Sequence, residues 1–101
     1  MKIIVVLLSL IFIGCDESTG VRQTYVLTTG TTSATYYPVG VALATLVSAN
    51  EESEFALTAI SSAGSLENVK LLRDNQAQFA TMLSIFATWA YEGEGPILRP
   101  Q

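Results

Sequence analysis

The sequence contains no histidine and only one cysteine. Histidine is the side chain that most often exchanges protons near neutral pH and binds zinc, so its absence excludes His-based acid–base catalysis and His-ligated metals. A single cysteine cannot form an internal disulfide framework. Basic residues are also scarce, with five against nine acidic residues and a formal net charge of −4. Because nucleic-acid binding depends on Lys and Arg neutralising phosphates, we expect no nucleic-acid partner.

Arrangements of residues that support catalysis are missing too. Glu67 and Asp74 lie seven residues apart on a predicted helix, about 10 Å along its axis, which is too far for both to act on one bond. The serines at 62 and 65 have no base placed beside them by spacing. The loop at residues 30–34 lacks the Gly-Lys-Ser/Thr of a phosphate-binding P-loop. We therefore predict a protein that is not an enzyme and uses no cofactor and no metal.

The amino-terminal residues have the composition of a secretory signal. Lys2 precedes an apolar stretch from 3 to 13, broken only by Ser9, which is shorter than the about 20 residues that a membrane-spanning helix needs. A short buried core helix is the alternative. Residues 12–15 (Phe-Ile-Gly-Cys) resemble a bacterial lipobox, in which the cysteine is lipidated. We predict a signal peptide at 1–14, lipidation of Cys15, a polar tether at 15–23 and a periplasmic or other extracytoplasmic location at the membrane.

From residue 24 the pattern alternates between strands and helices. β-Branched and aromatic residues predict the strands, and apolar residues spaced three and four apart predict the helices, with Ser65 as the N-cap of the second helix and Asn75 as its stop. The apolar face of the first helix is expected at residues 36, 39, 43, 46 and 47. This order predicts an α/β fold with a short, mostly parallel sheet in the order βαβαβα. The predicted strands are 25–29, 55–60 and 79–83, and the predicted helices are 36–49, 66–74 and 85–91.

The loops that follow the three strands are rich in hydroxyl groups and glycine. In a parallel sheet the loops at 30–35, 61–65 and 84–86 share one edge, where ligands usually bind. Two of them lead into helix amino termini, which favour a carboxylate or phosphate. The alternative is that these serines and threonines only cap helices and close turns. Of the neighbouring Tyr36 and Tyr37, one is expected to line the site and the other to pack, because adjacent helical residues point in different directions.

Three segments resemble motifs of the TAXI-type solute-binding proteins of TRAP transporters. Residues 30–40 are similar to the family's Gly-Ser/Thr-rich turn followed by Tyr-Tyr-Pro-x-Gly, residues 62–72 to its second motif, and residues 83–93 to its third. The resemblance implies a periplasmic-binding-protein fold of two α/β lobes that passes a small organic acid or amino acid to a membrane permease. Matched to those motifs, the expected ligand contacts are Thr32, Ser33, Tyr36, Tyr37, Gly64, Ser65 and Ser84.

Members of the TAXI family are much longer than this sequence. Residues 24–101 are therefore expected to form a partial solute-binding lobe, truncated and dependent on a missing part for full binding. Two other functions remain open for such a chain. One is a membrane-tethered sensory or interaction module, and the other is an inactive gene fragment.

Overall fold

The computed structural model describes residues 21–97, so the predicted signal peptide, Cys15 and most of the tether lie outside the described residues. The described part has the predicted order of elements. The first helix and the second strand have the predicted bounds, and each remaining bound differs by three residues or fewer. The elements are β1 (Gln23–Thr28), α1 (Tyr36–Ala49), β2 (Phe55–Ile60), α2 (Ser65–Arg73), β3 (Phe79–Ala80) and α3 (Ser84–Glu92).

The three strands form a parallel sheet in the order β2-β1-β3, which confirms the predicted fold class. The chain crosses from β1 to β2 and then back past β1 to β3, and right-handed crossovers in opposite directions place α1 and α2 on opposite faces. Two neighbouring residues of β1 show this arrangement. Leu27 packs with Ala44 of α1, whereas the Thr28 hydroxyl donates a hydrogen bond to Asn68 of α2.

The third strand is shorter than predicted, with two residues instead of five. It pairs with the last two residues of β1, and the Thr81 N–H then donates to the Thr28 carbonyl. Because β1 ends at Thr28, the ladder does not continue past Thr81. Two backbone groups of the following segment bond to α2 instead: the Thr81 carbonyl accepts from the Asn68 amide, and the Leu83 N–H donates to the Ser65 hydroxyl.

Helix α1 packs on the sheet through a face that matches only part of the predicted one: Val47 packs against the core cluster, and Tyr36 is half-buried. The buried residues of α1 are Gly40 and Ala44, while Val39, Leu43 and Leu46 are 55%, 48% and 71% exposed. A Cβ atom at Gly40 would overlap the methyl group of Thr29, so only glycine lets the helix approach this closely. The prediction from apolar spacing was confirmed for Val47. It was wrong for Val39, Leu43 and Leu46, because the closest approach selects small residues rather than large ones.

The carboxyl end of α2 agrees with the prediction from the sequence, and its amino end does not. Asn75 has φ of 55°, the left-handed conformation expected of a helix stop. Ser65, however, is the first helical residue and not the N-cap, which is Gly64. The Ser65 hydroxyl is turned toward the third loop, where it accepts the Leu83 N–H at 3.0 Å. The N-cap prediction was therefore wrong, because this hydroxyl joins two loops instead.

Candidate functional site

An open hollow of about 540 Å³ lies at the carboxyl ends of the three strands. The prediction that the three loops share one edge is confirmed, because each contributes to its wall. The first loop and the start of α1 form one side, the second loop and the start of α2 form another, and the third loop with α3 forms the third. The lining residues are Gly30, Thr31, Ala34, Thr35, Tyr36, Ala63, Gly64, Ser65, Leu66, Leu83 and Phe86.

Asn68 holds the three loops together from within the fold. Its side chain has no exposed surface. The Nδ2 group donates to the carbonyls of Thr29 and Thr81, at 2.6 and 2.7 Å, and so joins the ends of β1 and β3. The Oδ1 atom accepts from the hydroxyls of Thr28 and Ser62, at 2.8 and 2.6 Å, which adds the loop after β2. Two donors and two acceptor positions are all an amide has, so Asn68 is fully satisfied.

Sequence reasoning assigned no role to Asn68. The signal that could have found it is its position four residues before Leu72, on the apolar side of a short amphipathic helix. A buried polar side chain costs stability unless it is hydrogen-bonded, so an asparagine there implies partners on neighbouring segments. The partners lie in three other segments of the chain, and the sequence alone does not say which groups they are.

The second loop is shaped by one glycine. Gly64 has φ of 121° and ψ of −163°, a backbone conformation that residues with a Cβ rarely adopt. Its N–H donates to the Ser62 hydroxyl at 3.1 Å, and its carbonyl accepts the N–H of Asn68, four residues later, at 2.9 Å. The side on which a Cβ would lie is open, with no atom within 4 Å. The loop backbone therefore faces the hollow without a side chain in between.

Among residues 21–97, those that line the hollow are uncharged, and one acidic side chain is hydrogen-bonded to the lining from outside. The Glu67 carboxylate, in the first turn of α2, accepts the N–H of the lining residue Ala63. An acid at this position is a common way to satisfy a free N–H at a helix start. The amino terminus of α2 thus already holds a negative charge, whereas the first turns of α1 and α3 contain no acidic residue.

Three of the seven predicted contact residues line the hollow: Tyr36, Gly64 and Ser65. Tyr37 instead lines a separate groove between α1 and β2, in agreement with the expectation that the two tyrosines separate. Thr32, Ser33 and Ser84 are exposed and are not part of the lining. The lining residues that were not singled out as ligand contacts are mostly apolar, and Leu66, Leu83 and Phe86 are the largest.

Two further properties of residues 21–97 bear on function. Neither a grouping of three potential metal-binding side chains nor a helix long and apolar enough to cross a membrane occurs among them. The two resolved pKa shifts belong to one ion pair at the end of α2, where the hydrogen bond between Arg73 and Asp74 raises the pKa of the guanidinium and lowers that of the carboxyl. Neither residue lines the hollow.

Comparison with known proteins identifies a family. No solved structure matches the chain. The family model described as the NMT1-like family matches residues 27–100, which include all three helices and the three loops around the hollow. Since this match covers well over half of the sequence, the chain belongs to the NMT1-like family, a family of periplasmic-binding-protein-like domains.

Proposed function

We propose that the chain captures a small organic acid or amino acid outside the cytoplasm and delivers it to the permease of a TRAP-type transporter. The observation that carries this proposal is the hollow of about 540 Å³ at the carboxyl ends of three parallel strands. In open α/β sheets this is the usual place for a small ligand. Membership of a binding-protein family supports the same function and gives no reason to expect catalysis.

The transporter type rests on the three TAXI-like motifs. They supply the loops at 30–35 and 61–65 and the start of α3, which are the segments that surround the hollow. A ligand carboxylate would find free N–H groups at the first turns of α1 and α3, where no acidic side chain competes. The hydroxyls of Thr31, Thr35 and Tyr36 line the hollow beside the first turn of α1.

Blocking the hollow tests the binding function directly. Ala63 is an exposed residue of the lining, so Ala63→Trp would fill the space, while Ala42→Trp on the exposed side of α1 is a matched control. We expect small carboxylates or amino acids to raise the melting temperature of the wild type and of the Ala42 variant, and not that of the Ala63 variant. The proposal fails if no solute stabilises the wild type, or if the Ala63 variant responds equally.

We further propose that Cys15 anchors the chain to the membrane. The lipobox-like residues 12–15 and the polar residues up to 23 support a lipidated tether. In a bacterial host, Cys15→Ser should move the chain from the membrane fraction to the soluble extracytoplasmic fraction and remove the mass of the acyl chains. An acylated, membrane-bound Cys15→Ser protein would exclude this anchor.

A membrane-tethered interaction module is the second candidate. It is favoured by the exposed stripe on α1, defined here as Val39, Leu43 and Leu46, because a surface helix normally presents polar groups to water. If this function is correct, a partner protein other than a permease should copurify with the wild type and not with a variant that has serine at all three positions. If the stripe variant still delivers solute to a permease, the transport function is supported instead.

A further inference from the structure

We propose that the hollow prefers an apolar solute that carries an ammonium group, such as an apolar amino acid or amine, over a solute whose only charge is negative. This inference rests on the proposed function and narrows its ligand class. It depends on two features of the same site. One is the apolar wall, and the other is the acidic side chain bonded to the rim.

The apolar wall consists of Leu66, Leu83 and Phe86. Leu66 and Leu83 line the hollow and are 36% and 54% exposed, so each has apolar surface that a bound solute could cover. The Phe86 ring packs edge-on against Trp89 with centroids 5.3 Å apart, which holds it in position. Covering these side chains with the hydrocarbon body of a solute removes apolar surface from water on both partners. A highly polar solute would gain nothing from this wall.

The charge at the rim comes from Glu67. Its carboxylate accepts the N–H of Ala63, and Ala63 itself lines the hollow. The negative charge is therefore bonded directly to a residue of the lining. Because an acid beside the site favours a cationic group and opposes an anionic one, the ammonium group is expected on the side of the second loop.

The basic side chains of the described residues do not reverse this preference. Arg22 donates to the carbonyls of Ser48 and Asn50, near the amino ends of the strands, and Arg73 pairs with Asp74 at the end of α2. Lys70 lies on α2 one turn beyond Glu67 and does not line the hollow. The net charge of −4 adds a weak long-range attraction for cations. A carboxylate of the solute can bond only to neutral hydroxyls and backbone N–H groups here.

Four probes that share one hydrocarbon skeleton test the preference: L-leucine, 3-methylbutylamine, 4-methylpentanoate and 4-methylpentanamide. Affinities are measured by calorimetry on the full chain at constant ionic strength. We expect leucine and the amine to bind about tenfold more tightly than 4-methylpentanoate, with the neutral amide in between. If 4-methylpentanoate binds as tightly as leucine, or more tightly, the inference is overturned.

Glu67→Gln tests the source of the preference. Glutamine keeps an oxygen that can accept the Ala63 N–H, so the helix start is retained while the charge is removed. We expect affinity for 3-methylbutylamine to fall about tenfold and affinity for the amide to stay unchanged. Glu54→Gln removes the same charge from the exposed turn before β2 and should have no effect. Equal losses in both variants, or no loss in the Glu67 variant, would refute the role of Glu67.

The same measurements separate this inference from the proposed function. A panel of small dicarboxylates and polar amino acids is tested beside the four probes. If members of that panel bind and the four probes do not, the ligand class is wrong while solute binding stands. If neither set binds to the wild type, the proposed function itself fails. The comparison among wild-type affinities needs no variant, so it holds even if Glu67→Gln does not fold.

Discussion

The two ends of the sheet are held together by different kinds of interaction. Toward the amino end, the rings of Tyr25 and Phe55 lie with centroids 5.4 Å apart. Phe79, which pairs with Leu27 in β1, adds a ring from the third strand at 6.0 Å from both. At the carboxyl end, the side chain of Asn68 is hydrogen-bonded to all three strand ends. Aromatic packing fills space, whereas hydrogen bonds fix positions without filling the space between them. The hollow lies at the end that these hydrogen bonds hold together.

Removing Asn68 should have the largest effect on stability. Asn68→Leu replaces the buried amide with an apolar group of similar size and leaves the Thr28 hydroxyl and the Thr81 carbonyl unpaired. The Thr29 carbonyl and the Ser62 hydroxyl each keep one other partner. We expect the free energy of unfolding to fall by about 4 kcal/mol, since each unpaired buried group costs about 1–3 kcal/mol. Some of these groups can form a new hydrogen bond to water, which reduces the total loss. Urea denaturation measures this loss. Asn50→Leu, at an exposed asparagine whose side chain accepts one backbone N–H, is the control and should change stability by less than about 1 kcal/mol.

This prediction concerns the part of the site that the sequence did not reveal. The alternation of elements could be predicted because strand and helix periods are local, and the shared edge followed from the parallel sheet. The role of Asn68 could not, because its partners lie 6 to 40 residues away. The packed face of α1 was missed for a related reason. Periodicity identifies large apolar side chains, but the contact between Gly40 and Thr29 depends on how closely the helix approaches the sheet.

At the opposite end of the sheet, Phe55→Ala should lower stability and leave the hollow unchanged. Phe55 is half-buried, so we expect a loss of about 2 kcal/mol, less than for a fully buried phenylalanine. Phe55→Leu keeps most of the volume and should cost less than about 1.5 kcal/mol. Denaturation measures both losses, and calorimetry with L-leucine compares the affinity of the folded proteins. The contrast between the two ends breaks down if Phe55→Ala weakens leucine binding as strongly as Ala63→Trp.

Gly64→Ala should have a smaller effect, confined to the carboxyl end. No atom lies within 4 Å of the added methyl group, so its cost is the backbone strain at φ of 121°. We expect a loss of about 1–2 kcal/mol in denaturation together with changed amide chemical shifts in residues 61–66. Ala63→Gly is the control, since it removes a methyl group from the same loop. An unchanged stability for Gly64→Ala would mean that the loop can adopt another conformation at no cost.

The smallest effect is expected from the Arg73–Asp74 pair, at the end of α2 that is remote from the hollow. The Arg73 hydrogen bond lowers the pKa of Asp74 in the folded state, so any stabilisation is present above the ordinary carboxyl pKa and is lost as the pH falls through the lower folded value. Both side chains are about half exposed, and water and salt screen such pairs strongly. Asp74→Asn should therefore leave the urea midpoint unchanged at neutral pH, within error, and slightly flatten its decline in acid. If Asp74→Asn lowers the free energy of unfolding at neutral pH as much as Phe55→Leu does, the exposed ion pair stabilises the fold as strongly as part of the aromatic cluster does, and the contrast is wrong.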